Sequence, residues 1–304
     1  MAAGDLSDDL ISTSLPFDAE DMLAACEKGR VVHTRLDING DAERAALEFT
    51  WNDVMQLARS DRHAAQQWRL YKNGQAIDLA LMGVLGEQGR LRQDRLEPLL
   101  EQGVSVMINR LELKLPSVRQ LARQIELSTG AYVRVVAIGS PGRAPCMPLH
   151  YDHVDVIAVQ TAGEKTWLFY GSPIPGCGVV RRLPTQPTEK TDEKTLRVGD
   201  FLFVPAGLHH QCQPSENSLH LAFNLKWPTL KELAPALMEN YPEELSLLEP
   251  IRSFRQPERI DTLQKQLAAH EECTLTRQQV VDFFDRWPQA CARRYRVSDL
   301  GEFY

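Results

Sequence analysis

HYDHVDVIAVQTAGEKTWLFYG, residues 150–171, holds two short apolar runs on either side of Thr161-Ala162-Gly163-Glu164. Runs rich in β-branched and aromatic residues, bounded by turn residues, read as strands. His150-Tyr151-Asp152 opens the first strand. Side chains alternate with a period of two along a strand, so His150 and Asp152 are expected on one face. An imidazole and a carboxylate are two thirds of the 2-His-1-carboxylate set, which holds a divalent ion such as Fe(II) on one side and leaves positions open. The second histidine has to come from a distant strand. VGDFLFVPAGLHHQC, residues 198–212, offers His209 and His210 just after a strand and a Pro205-Ala206-Gly207 turn. Lys165 begins the return strand after the Thr161–Glu164 turn, where it can offer a cation to an anionic cosubstrate that chelates the metal.

Outward from these two stretches, residues 150 to about 227 are a succession of short strands cut by turns: HYDHVDVIAVQ, KTWLFYG, a Pro/Gly-rich loop, DFLFVPAG and SLHLAFNLKW. That spacing predicts an antiparallel barrel or sandwich. Upstream, GVSVMINRLE reads as a strand and YVRVVAIG as another. Between them PSVRQLARQIELSTG reads as a helix, with Pro116 at its start and Gly130 past its end. Residues 1–100 read as a mostly helical covering region, with apolar positions at helical spacing in Trp51, Val54, Met55, Leu57 and Ala58 and again in Leu91, Leu96, Leu99 and Leu100. Within it Asn73-Gly74 predicts a hairpin. Prolines recur among helix formers after Trp227, so residues 229–304 are expected to form short helices flanking a core at 101–228. The predicted fold is mainly β with helical flanks.

Composition narrows the class. With 304 residues, 43% hydrophobic and 25% charged, the chain has a globular composition and is neither fibrous nor disordered. No apolar run approaches the ~20 residues that cross a bilayer, and the acidic start MAAGDLSDDL is unlike a signal peptide. A net charge of -7 argues against nucleic acid as partner. Six cysteines without a CxxC pair predict reduced thiols and a cytoplasmic location.

Residues 150–167 resemble the H-Y-D-x-x-D-V-x-x-x-Q-x-x-G-x-K-x-W motif of the Jumonji C (cupin-4) oxygenases, a family that includes bacterial ribosomal oxygenases and asparaginyl hydroxylases. VGDFLFVPAGLHHQC is similar to the same family's G-D-x-x-x-x-P-x-G-x-x-H segment, and the likeness runs over roughly residues 68–228. It implies a double-stranded β-helix, or jelly-roll, core. It also implies Fe(II) held by His150, Asp152 and His210, with His209 out of register. Lys165 would bind the distal carboxylate of 2-oxoglutarate, and Asn224 would lie against the cosubstrate. The implied activity is 2-oxoglutarate-dependent hydroxylation of a C–H bond in a protein, peptide or amino-acid-like substrate, with succinate and CO2 as coproducts. Relatives commonly carry Asn-x-Tyr on the strand before His-x-Asp, where this chain has Val135, Val136 and Ala137. The resemblance also implies a homodimer contact in residues 229–304. Only about 76 residues follow Pro228, fewer than the dimerising helices and winged helix of full-length ribosomal oxygenases, so a different substrate is expected.

Two other classes compete with the oxygenase reading. A non-oxidative, isomerase-like metal cupin would lean on more histidines and has no need of Lys165. A catalytically silent binding module would not need His150, Asp152, Lys165 and His210 together. His153 and His220 read as ordinary satisfied polar residues outside the site. Trp167 and Tyr170 read as core and rim, Cys212 as a small apolar residue, and Cys146 has no assigned role.

Overall fold

The computed structural model describes residues 19–35, 48–174, 187–229 and 277–294, together with 261 and 265. Most of the short helices expected between 229 and 304 lie outside the described residues. Eleven strands run in chain order among those described: β1 Val32–Arg35, β2 Trp68–Lys72, β3 Gln75–Ile77, β4 Ser105–Ile108, β5 Tyr132–Ser140, β6 Asp155–Ala162, β7 Lys165–Tyr170, β8 Lys190–Leu196, β9 Asp200–Val204, β10 His209–Pro214 and β11 Ser218–Lys226. They form an eight-stranded sheet in the order β1-β9-β6-β11-β5-β4-β2-β3 and a three-stranded sheet in the order β10-β7-β8. All the pairs are antiparallel. From β6 to β11 the chain passes back and forth between the two sheets, which is the winding of a double-stranded β-helix.

The turn after β6 differs from a hairpin. Gly163 has φ +60, and the chain crosses there to the other sheet, so β7 pairs with β10 and β8 while β6 pairs with β11 and β9. Lys165 is thereby placed opposite β6 across the sandwich. The Asn73-Gly74 hairpin forms as expected, with φ of +53 and +78 at the two turn residues and Leu70 paired to Ile77. Its strands join the large sheet through β2 and β4. The segment read as GVSVMINRLE is strand only over Ser105–Ile108. Arg110 then takes φ +59 and a short 3-10 turn follows at Leu111–Leu113.

Helices α1 (Ala19–Lys28), α2 (Trp51–Ser60), α3 (Gln93–Glu101) and α4 (Pro116–Thr129) precede β5, and α5 (Arg277–Arg294) follows β11. In α4 proline stands at the first turn, and Gly130 at φ +80 closes the helix with its N–H donated to Glu126 O at 2.8 Å. Val118, Leu121, Ala122 and Ile125 of α4, with Val54, Leu57 and Ala58 of α2, share one buried core with the outward-facing side chains of the large sheet. In β5 and β11 these are Val133, Val135 and Ala137, and Leu219, Leu221, Phe223 and Leu225. Gly139 belongs to this face. A Cβ there would meet Trp51 Cη2 at 2.6 Å, so glycine is what lets the indole lie on the strand. At the other end of β5, Tyr132 packs with Trp287 of α5, whose Nε1 donates to Lys226 O at 3.3 Å.

The opposite faces of the two sheets enclose a smaller apolar cluster: Val156, Ala158, Leu202, Val204 and Ala222 from the large sheet meet Trp167, Phe169 and Leu196 from the small one. Beside it lies the cavity that holds the candidate site.

Candidate metal centre

His150, Asp152 and His210 come together at the mouth of the sandwich, with one ligand atom from each lying within 4.8 Å of the others. The route differs from the strand alternation expected of His150-Tyr151-Asp152. Strand β6 begins only at Asp155, and residues 151–154 are irregular. His150 instead makes an isolated bridge with His210, each donating its N–H to the other's carbonyl at 3.1 and 2.7 Å. Asp152 O accepts the N–H of Gly207 at 2.8 Å, and Gly207 takes φ +81 to make that turn. Backbone bonds therefore set the spacing of all three side chains.

Both rings are oriented by their far nitrogens. Nδ1 of His150 lies 2.9 Å from Pro148 O, and Nδ1 of His210 lies 2.9 Å from Leu208 O. A carbonyl can only accept, so each Nδ1 carries a proton, and in the neutral ring Nε2 presents the lone pair. Those two Nε2 atoms stand 4.0 and 3.6 Å from the Asp152 carboxylate oxygens. His150 Nε2 is buried and has no hydrogen-bond partner among the described residues. Burial, and then the neighbouring His150, push the His210 imidazole down to about 4, which keeps it neutral at pH 7 as metal ligation requires. Two imidazoles and one carboxylate, with His150 Nε2 buried and unmatched among the described residues, fit a divalent ion with open coordination positions.

His209 is directed elsewhere. It is buried, and its ring meets Tyr151 at 5.0 Å. The rings of Trp167 and Phe169 flank His210 at 5.3 and 6.3 Å.

Behind the triad a cavity is lined by Lys165, Trp167, Cys212, His220, Ala222 and Asn224, with Ile138, Ser140 and Cys146 on a further wall. Lys165 and Asn224, both singled out in the sequence, therefore share one cavity with the triad. Lys165 is 1% exposed, and its Nζ lies 2.8 Å from His220 Nδ1. Burial lowers its pKa from the usual lysine value. Among the described residues it has no carboxylate partner. Its strand position pairs with Pro214, four residues along β10 from His210, or roughly 13 Å of strand.

The register corrects the wall expected from Val135, Val136 and Ala137. Val135 and Ala137 face outward into the helical core, and only Val136 turns inward, beside Ile138 and Cys146. His220 lines the same cavity, although the sequence reads it as an ordinary polar residue outside the site. Its signal was its spacing of four from Asn224, which on a strand puts both on one face. Asp155 has no role assigned from the sequence. It is fully buried, and its carboxylate accepts the Ala206 N–H and the Trp227 Nε1–H, each at 2.7 Å. It thus ties the turn before His210 to the end of β11.

A jelly-roll with a two-histidine, one-carboxylate set at its mouth and a buried lysine within defines a cupin-type metal site. Residues 113–233 match the JmjC domain family. Among curated proteins it is 27% identical over 192 residues to the bifunctional lysine-specific demethylase and histidyl-hydroxylase NO66 of Drosophila mojavensis, covering 59% of this chain and 19% of that protein. It is 33% identical over 130 residues to ribosomal oxygenase 1 of Danio rerio, covering 38% and 23% of the two chains. The matched stretch thus spans about a fifth of these relatives. The solved structure of YcfD, a ribosomal oxygenase from Escherichia coli in complex with cobalt and 2-oxoglutarate, superposes with a TM-score of 0.50 at 18% identity, covering 83% of this chain and 66% of that one. This structural likeness is one of fold.

Proposed function

We propose that this chain is an Fe(II)- and 2-oxoglutarate-dependent oxygenase that hydroxylates an unactivated C–H bond of a protein or peptide side chain. The observation that carries this reading is Lys165, a buried ammonium without a carboxylate partner among the described residues, in one cavity with His150, Asp152 and His210. Structural lysines are rarely buried unless paired. A metal cupin that needs no anionic cosubstrate has no use for one here. The metal-bound 2-oxoglutarate would supply the oxidation: its decarboxylation to succinate and CO2 consumes one oxygen atom of O2, and the other goes to the C–H bond.

In this reading His150, Asp152 and His210 hold the metal, and Nδ1–H bonds to backbone carbonyls keep the imidazoles aimed. Lys165 binds the remote carboxylate and Asn224 contacts the cosubstrate from β11. Trp167 and Ala222 keep water from the inner wall. The protein-substrate class is supported by relatives named as histidyl hydroxylases and ribosomal oxygenases. The test is Lys165→Ala. Losing the partner of a buried carboxylate costs roughly 3–5 kcal/mol, a loss of about a hundred- to several-thousand-fold in 2-oxoglutarate affinity, while Fe(II) affinity stays near that of the parent. Titration under anaerobic conditions, following the charge-transfer absorption of the Fe(II) complex, reads both constants. An unchanged dependence on 2-oxoglutarate would overturn the cosubstrate assignment.

A further inference from the structure

His220 lies on β11 and lines the cavity, is 2% exposed, and belongs to no metal-ligand group among the described residues. Two contacts hold it. Its Nδ1 is 2.8 Å from Lys165 Nζ, and Trp167 meets its ring edge-on at 5.5 Å. Register fixes it further, since His220 is paired to Ile138 on one side and Gln160 on the other. A lysine ammonium has three hydrogens and no lone pair, so Lys165 donates and Nδ1 accepts. The ring is then neutral, with its own proton on the far nitrogen. Burial, followed by the adjacent ammonium, holds the imidazole well below its usual pKa, in agreement with that tautomer.

A lysine ammonium is a point charge on a flexible stem, without the fixed fork of an arginine. Tethering one of its hydrogens leaves two, and a carboxylate presents two oxygens. We propose that His220 is the positioning residue for Lys165: by accepting one hydrogen it orients the other two toward both oxygens of a carboxylate at the far end of a metal-chelating acid. This rests on the cosubstrate reading above and adds to it a determinant of selectivity for acids with a second, remote carboxylate.

The experiment compares two ligands on the full chain loaded with Mn(II). 2-Oxoglutarate carries the remote carboxylate, and oxalate chelates the metal without one. Equilibrium binding of each is measured for the parent, His220→Ala, His220→Gln, Lys165→Ala and the double variant. His220→Ala should weaken 2-oxoglutarate about tenfold and leave oxalate unchanged. His220→Gln, whose carbonyl oxygen can accept the same hydrogen, should recover part of the loss. The double variant should bind 2-oxoglutarate no more weakly than Lys165→Ala, because His220 acts through the lysine. If His220→Ala loses oxalate as well, His220→Phe, which fills the space without an acceptor, supplies the same ratio of the two ligands. An unchanged ratio in His220→Ala or His220→Phe, or additive losses in the double variant, overturns the positioning role and leaves the Lys165 assignment standing. If the parent binds oxalate and not 2-oxoglutarate, the cosubstrate reading itself fails.

Discussion

The two faces of β11 are made from one nine-residue strand and serve opposite ends. Leu219, Leu221, Phe223 and Leu225 point outward, all fully buried, into the core under α2 and α4. His220, Ala222 and Asn224 point inward and line the cavity. The outward face is dry and apolar, and it stabilises the sheet through area removed from water. The inward face carries polar atoms whose partners are few; among the described residues His220 Nε2 is buried without one. Stability and chemistry are thus separated by a half-period of the strand. The helical layer supplies the rigidity that lets the cavity face keep groups a simple core would reject.

Substitutions on the two faces should therefore fail in different ways. The largest effect is expected at Asp152→Ala, which removes the lone carboxylate of the triad. Metal binding by isothermal titration and succinate release should both fall to background, while the thermal midpoint stays close to that of the parent. Retained turnover in a folded Asp152→Ala protein would break the triad assignment. His210→Ala should lose metal affinity to a similar degree, and His209→Ala far less, because the His209 ring is directed to Tyr151. A reversal of that order in the same titration would put His209 among the ligands.

On the outer face Phe223→Ala should cost about 3–5 kcal/mol of stability, as large-to-small changes in tight cores do. Urea unfolding of Phe223→Ala beside Asn224→Ala sharpens the contrast, since the neighbouring inward residue should cost less stability and more cosubstrate affinity. Equal losses of stability at the two positions would mean that the faces are not separable.

The smallest effect is expected in the helical layer at Asp61. Burial alone would raise its carboxyl, but hydrogen bonds from Lys114, the His63 N–H and Trp68 Nε1–H outweigh it and hold the pKa below the usual value. A carboxyl depressed in the folded state contributes stability that is present above its unfolded pKa and is lost as pH falls through the folded one. Asp61→Asn should therefore flatten the acid limb of stability against pH and leave the dependence on 2-oxoglutarate unaltered.

What could be read before folding varied with how local its cause was. Helix α4 was legible nearly to the residue because its proline start and glycine stop are local chemistry. The Asn73-Gly74 hairpin was legible for the same reason. Strand β8, KTDEKTL, was hidden inside a stretch read as a loop, because it is an edge strand of the small sheet whose side chains are mostly exposed and carry little apolar pattern. Strand β1 was absorbed into a helical region. It is four residues long and is a strand because β9 lies beside it. At the site, His150, Asp152, Lys165 and His210 stood out through the spacing of two motifs.

The sequence by itself determined the ligand types, the lysine and the strand-rich core, since residue identity sets which atoms can bind a metal or an anion, and turn residues and periodicity set where strands start and stop. Tertiary structure decided which atoms meet. His150 reaches Asp152 through its backbone bridge to His210, across sixty residues of chain, and the irregular segment 151–154 plays the part that strand alternation was expected to play. The crossing at Gly163 turns Lys165 inward, and pairing with β5 and β6 places His220 against it. These are long-range hydrogen-bond registers, and a one-residue slip in any of them would exchange the two faces of the strand.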